Sequence, residues 1–130
     1  MNDKEKAVAL RKEGYNCAQC VLMALADKIN LDQETAARLC SGLGTGVGGS
    51  GNICGAANAL AIAESALHGT APSDKAAAMK AVNVLVERFS AENGNRIDCR
   101  DLKGKEGVRP CLELITQAVD IFNEAHPELS

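Results

Sequence analysis

The chain has 130 residues, with 17 acidic against 14 basic side chains for a formal charge of −3, and Tyr15, Phe89 and Phe122 are its whole aromatic set. That length holds one domain with its own core, and an acidic balance with so few stacking rings excludes a nucleic-acid partner, which takes a basic stripe or an aromatic platform. No apolar run reaches the roughly 18 residues of a membrane helix, and the start MNDKEKAVAL lacks a signal peptide's apolar stretch, so a cytoplasmic protein with no membrane partner is expected.

In chain order, Lys4 to about Glu13 carries Ala7 and Leu10 at helical spacing and stops at Gly14, a short amphipathic helix. Asn16-Cys17-Ala18-Gln19 then reads as a capping box opening a helix to about Ile29, with Cys17 and Cys20 in its first turn. Asp32 caps a third helix that ends at Gly42, which puts Cys40 at a helix C-terminus. After a glycine-rich loop, Asn52 is the expected cap of an Ala-rich helix through Leu67, whose small residues on several faces make it the expected central helix. His68 and Gly69 close it, the imidazole read as a C-terminal helix residue rather than a metal ligand. Pro72-Ser73 opens a helix with a core stripe at Ala78, Val82, Leu85, Val86 and Phe89, stopped by Asn93-Gly94. Asp98 caps a short turn at Cys99, Lys103 to Val108 reads as a mobile loop, and Pro110 starts a last helix that ends near His126-Pro127, where His126 is expected to face solvent. No segment alternates like a strand, so the fold class is all-α: a compact single-domain bundle of five to six helices with a glycine-rich loop, spanning residues 1–130.

Seven of the twelve glycines, Gly42, Gly44, Gly46, Gly48, Gly49, Gly51 and Gly55, fall between Cys40 and Asn58. Gly44-Thr45-Gly46-Val47-Gly48-Gly49 matches G-x-G-x-x-G by letter, yet the dinucleotide fingerprint needs a strand before it, and here a helix precedes. No Gly-Lys-Ser/Thr follows to make a P-loop. Two readings stay open: a loop whose backbone, at Gly48, Gly49 and Gly55, comes close to a bound cofactor, and a plain flexible linker.

Six cysteines in a reducing compartment point to metal binding or thiol chemistry rather than to disulfides. Cys17, Cys54, Cys99 and Cys111 each fall in the first turn of an expected helix, where free N–H groups and partial positive charge lower a thiol's pKa. Arg96, Arg100, Lys103, Lys105 and Arg109, against Asp98, Asp101 and Glu106, bracket two of these cysteines with positive charge, either a solvated face or a means to offset thiolates and steer an acidic partner.

Gly14-Tyr15-Asn16-Cys17-Ala18-Gln19, the glycine loop with Cys54-Gly55-Ala56, Cys99-Arg100-Asp101-Leu102 and Cys111 together resemble the C_GCAxxG_C_C family of redox-active proteins, over nearly the whole chain. The resemblance implies a small helical protein typical of anaerobic microbes. A similar domain stands beside haem in split-Soret cytochromes, where an iron–sulfur cluster has been inferred, and analogy with those relatives implies a homodimer. Carried over, Cys17, Cys54, Cys99 and Cys111 are the family's four cysteines and Gly55 and Ala56 the small residues beside the second. Asn58 and Ala59 stand where the family's motif closes with glycine, and Cys20 and Cys40 are extra to it.

Four functions follow from these residues. The first is electron transfer by an iron–sulfur cluster on the four family cysteines, serving an unidentified redox partner. The second is a thiol–disulfide enzyme with no cofactor, using Cys17-x-x-Cys20 with Cys54 or another cysteine as resolving thiol. The third is an interaction module with a structural Cys₄ zinc, and the fourth a helical interaction protein whose cysteines simply pack.

Overall fold

The computed structural model describes residues 1–103 and 109–129; the expected loop therefore falls, apart from Lys103, outside the described residues, as do Lys105 and Glu106. Among the described residues every regular element is helical: α1 (Asp3–Lys12), α2 (Cys17–Leu25), α3 (Gln33–Leu39), α4 (Gly55–Ser65), α5 (Lys75–Glu92), α6 (Cys99–Leu102) and α7 (Cys111–Ala125), with short 3₁₀ turns at Ala26–Ile29, Pro72–Asp74 and Pro127–Leu129. None of the helices is long and apolar enough to cross a membrane.

Capping chemistry fixes the first three starts. Asn2 and Glu5 close a capping box on α1, Asn16 and Gln19 close one on α2, and the Asp32 carboxylate accepts from the Thr35 N–H at 2.7 Å to open α3. The second helix is α-helical only to Leu25 and tightens to 3₁₀ through Ile29, where Asn30 takes a left-handed conformation.

α2 shares the centre with α4. It packs on α1, α3, α4 and α7 and buries Ala18 and every residue from Cys20 to Leu25, while α4 lies between α2, α5 and α7. Leu22, Leu25, Leu60, Phe89, Ile115 and Phe122 fill the space between them. α5 is less core than its stripe suggests. Of its 18 residues only Leu85 and Phe89 are buried.

Two local expectations are overturned by distant partners. Asn52 does not cap α4. That helix opens three residues later with Cys54 at the cap position, and Asn52 instead meets the short turn at Cys99. His126 is not left to solvent: its Nε2 meets the buried carboxylate of Glu64, its Nδ1 lies 3.2 Å from Glu128, and its ring packs on Phe122. Glu64, 3 % exposed, also holds His68 Nε2 at 2.7 Å, so the end of α4 is tied to the end of α7.

Candidate functional site

Four separated segments deliver cysteines to one cavity of about 60 Å³. Cys17, Cys54, Cys99 and Cys111 line it, with Arg11 and Lys103 among the other lining residues. Three local devices place the four sulfurs. Cys17 is the first residue of α2 because Asn16 and Gln19 close their box around it, and the same Asn16 amide donates to the carbonyls of Cys40 and Ser41 at 3.1 and 3.2 Å, docking α3 there. Cys111 is the first residue of α7, set by Pro110.

Cys54 and Cys99 come as a pair. Ile53 and Asp98 form an isolated antiparallel bridge, with the Cys54 N–H on the Ile97 carbonyl at 2.8 Å and the Cys99 N–H on the Asn52 carbonyl at 2.7 Å. Side chains alternate along an extended segment, so both cysteines leave the face opposite Ile53 and Asp98 and enter the cavity.

The glycines divide. A Cβ on Gly55 would stand 2.4 Å from Cys17 Sγ, so the absence of a side chain there is what lets the two helix starts meet at the sulfur. Gly46 is closed in by the backbone of residues 51 and 52. Gly48 and Gly49 take positive φ on the exposed part of the loop and do not line the cavity; the structure does not bring them to the cysteines.

Burial reverses one expectation about the thiols. Loss of water pushes Cys54 up to about 12, against the opposing pull of the Ala56 and Ala57 N–H groups that face it without forming a capping hydrogen bond. Cys99 is raised by burial, then by Cys111 and Cys17, with Lys103 pulling it down. Helix starts lower thiol pKa only where the sulfur keeps water; here desolvation is the larger effect. Cys17 and Cys111 are half-buried, whereas Cys54 and Cys99 are buried.

Cys20 and Cys40 lie outside the cavity wall, fully buried, each pushed up to about 11 chiefly by burial, with the Cys20 thiol 3.6 Å from the Tyr15 carbonyl. All six cysteines are free thiols. The expected basic patch is partly consumed: Arg100 binds Ser50, Gly51 and Asn52, and Arg109 binds the Glu92 carbonyl and Asn93. Those long-range arginine bonds are what sequence reasoning missed; an arginine directly after a cysteine in a four-residue helix was the available signal.

As a donor set, two buried and two half-buried thiols with a lysine and an arginine beside them fit a thiolate-bound iron–sulfur cluster. Among the described residues no three Cys, His, Asp or Glu side chains converge on a single ion.

No curated protein and no solved structure matches the chain. Residues 15–125 match the family described as "Putative redox-active protein (C_GCAxxG_C_C)". The match spans all seven helices except α1 and includes all four cavity cysteines, and the chain belongs to this C_GCAxxG_C_C family.

Proposed function

We propose that this redox-family chain is an electron-transfer protein that holds an iron–sulfur cluster on Cys17, Cys54, Cys99 and Cys111. The observation that carries the reading is the convergence of these four cysteines, from four separate segments, on one cavity. When bound, such a cluster supplies one-electron chemistry, its potential set by charge, hydrogen bonds to sulfur and exposure.

The chain's own residues supply the rest. Burial excludes water from Cys54 and Cys99, the Ala56 and Ala57 N–H groups face the Cys54 sulfur, and Lys103 favours the thiolate form of Cys99. The high affinity of Cys54 for its proton means that a ligand to its sulfur displaces that proton. Tetrahedral Cys₄ sites also hold a single zinc, and metal and sulfide analysis distinguishes the two centres. A cytoplasmic location, a redox partner drawn to the cationic rim, and a homodimer belong to the same reading.

A second reading has its own observation. Cys17, which keeps partial exposure where it lines the cavity, suits dithiol exchange without a cofactor. Its sequence partner Cys20 suits it less, lying outside the cavity that Cys17 lines.

Anaerobic purification with a visible spectrum and iron, zinc and sulfide analysis separates these. Iron with equivalent sulfide and a bleachable absorption is expected, lost in the Cys54→Ser and Cys99→Ser variants and kept in Cys20→Ser. A colourless protein that reacts reversibly with a dithiol supports exchange instead, and zinc alone defeats both.

A further inference from the structure

We propose that Arg100 is the positioning residue of the thiol site, setting how Cys54 stands to Cys99; the proposal rests on the redox reading of the cavity. The two segments that carry these cysteines meet through very little backbone. Beyond the bonds flanking the Ile53–Asp98 bridge, the Arg100 N–H reaches the Gly51 carbonyl at 3.1 Å, and no further strand extends the pairing among the described residues. α6 has four residues, too few to persist on helical bonding alone. Ile53, opposite the cysteines, is 41 % exposed and buries little that would hold the segment down.

The Arg100 side chain supplies what is missing. Its Nε donates to the Gly51 carbonyl at 3.1 Å, and its Nη2 to the Ser50 carbonyl at 3.3 Å and to Asn52 Oδ1 at 2.7 Å. Three acceptors on consecutive residues of the cysteine-bearing loop are thus gripped by one planar fork, a geometry that a lysine's point charge does not reproduce. The loop is shaped to receive it. Gly51 takes φ +76°, and a Cβ there would press on the Arg100 side chain at 3.3 Å. The Asn52 amide in turn donates to Ser50 Oγ at 2.9 Å, and that hydroxyl lies 2.6 Å from the Gly46 carbonyl, so the grip reaches back through the loop. Arg100 itself is absent from the cavity lining, so it acts on the sulfurs only through the backbone that carries them.

The test uses the full-length metal-free protein in anaerobic glutathione buffers. The Cys54 and Cys99 thiols lose two protons and two electrons and join as a disulfide, while oxidised glutathione takes both electrons and its S–S bond parts into two thiols. Peptide mapping of the trapped products gives the effective concentration of the pair. Arg100→Gln is expected to lower it by about 10-fold or more, the scale on which small misplacements act. Asn52→Ala, which removes one acceptor from the other side, moves it the same way, and Leu85→Ala, a core truncation in α5 outside the cavity lining, leaves it unchanged. The proposal is overturned if Arg100→Gln and Asn52→Ala both match the native pair, if Leu85→Ala loses as much, or if the native pair never forms the disulfide. Iron and sulfide assays on native protein keep the two ideas apart: no iron with a pair that still depends on Arg100 sinks the cluster and leaves the positioning role standing.

Discussion

At the scale of single residues, the site depends on where a side chain is absent. Gly55 admits Cys17 Sγ where a Cβ would stand 2.4 Å away, and the neighbours are the backbone of Ala18 and Leu43, which cannot swing aside. Gly55→Ala is therefore expected to lose about 1–3 kcal/mol to overpacking and to lose the proposed cluster together with stability, read by thermal unfolding and iron content. Gly48→Ala and Gly49→Ala form the contrast. Their φ of +62° and +78° makes alanine unfavourable by about 1–2 kcal/mol, but both are exposed and off the cavity, so iron content is expected to stay at the native value. A loss of iron in either exposed variant would return those glycines to the site. Reading the sequence marked all three alike, since glycine content shows permissiveness without saying what the freed space admits.

At the scale of elements, the loop and the tail each hold a testable conflict. Val47 sits in the glycine loop at φ +65°, a conformation that a β-branched residue resists by about 1–3 kcal/mol, and its side chain is 42 % exposed. Val47→Gly is expected to raise the urea midpoint, with a net gain on the order of 1 kcal/mol after glycine's greater loss of freedom. The tail conflict is electrostatic. Burial alone would lower the His126 pKa, but hydrogen bonds to the Glu64 and Glu128 carboxylates outweigh it and raise it above the ordinary 6.5. A raised folded-state pKa contributes stability that is complete below pH 6.5 and fades as pH rises through the folded value. Native protein should therefore exceed His126→Gln in melting temperature by more at pH 6 than at pH 9; an equal gap at both would mean that the ring only packs. The helices were legible in sequence because their caps and stripes are local, whereas Asn52 and His126 were misplaced because their partners, Arg100 and Glu64, lie 48 and 62 residues away.

At the scale of the whole molecule, burial of the thiols links folding to alkaline pH. Cys20 and Cys40 are pushed up to about 11 and Cys54 to about 12, from 9.0 for an ordinary thiol. Above pH 9 the unfolded chain releases these protons first and the native state keeps them, so stability must fall as pH rises from about 9 toward 11–12. The metal-free protein is expected to show a steep drop in urea midpoint between pH 8.5 and pH 10.5, shallower in Cys20→Ala/Cys40→Ala, because each of these thiols keeps its proton in the native state through that range. An unchanged slope in that double variant would mean the two thiols reach water after all.

The all-α class and the capped starts of α2 and α3 were determined by sequence alone, because capping and hydrophobic period act within a turn or two of chain; the start of α4 was not. Membership of a redox-active family was likewise written in the cysteine and glycine motifs. Only the tertiary structure decided that the four cysteines share one cavity, that Cys20 and Cys40 stand outside it, and that Gly55 rather than Gly48 or Gly49 borders a sulfur. It also decided the protonation of the thiols. Helix termini favour the thiolate from within the local backbone, whereas desolvation depends on every element that closes over the sulfur, and at Cys54 the second effect is larger.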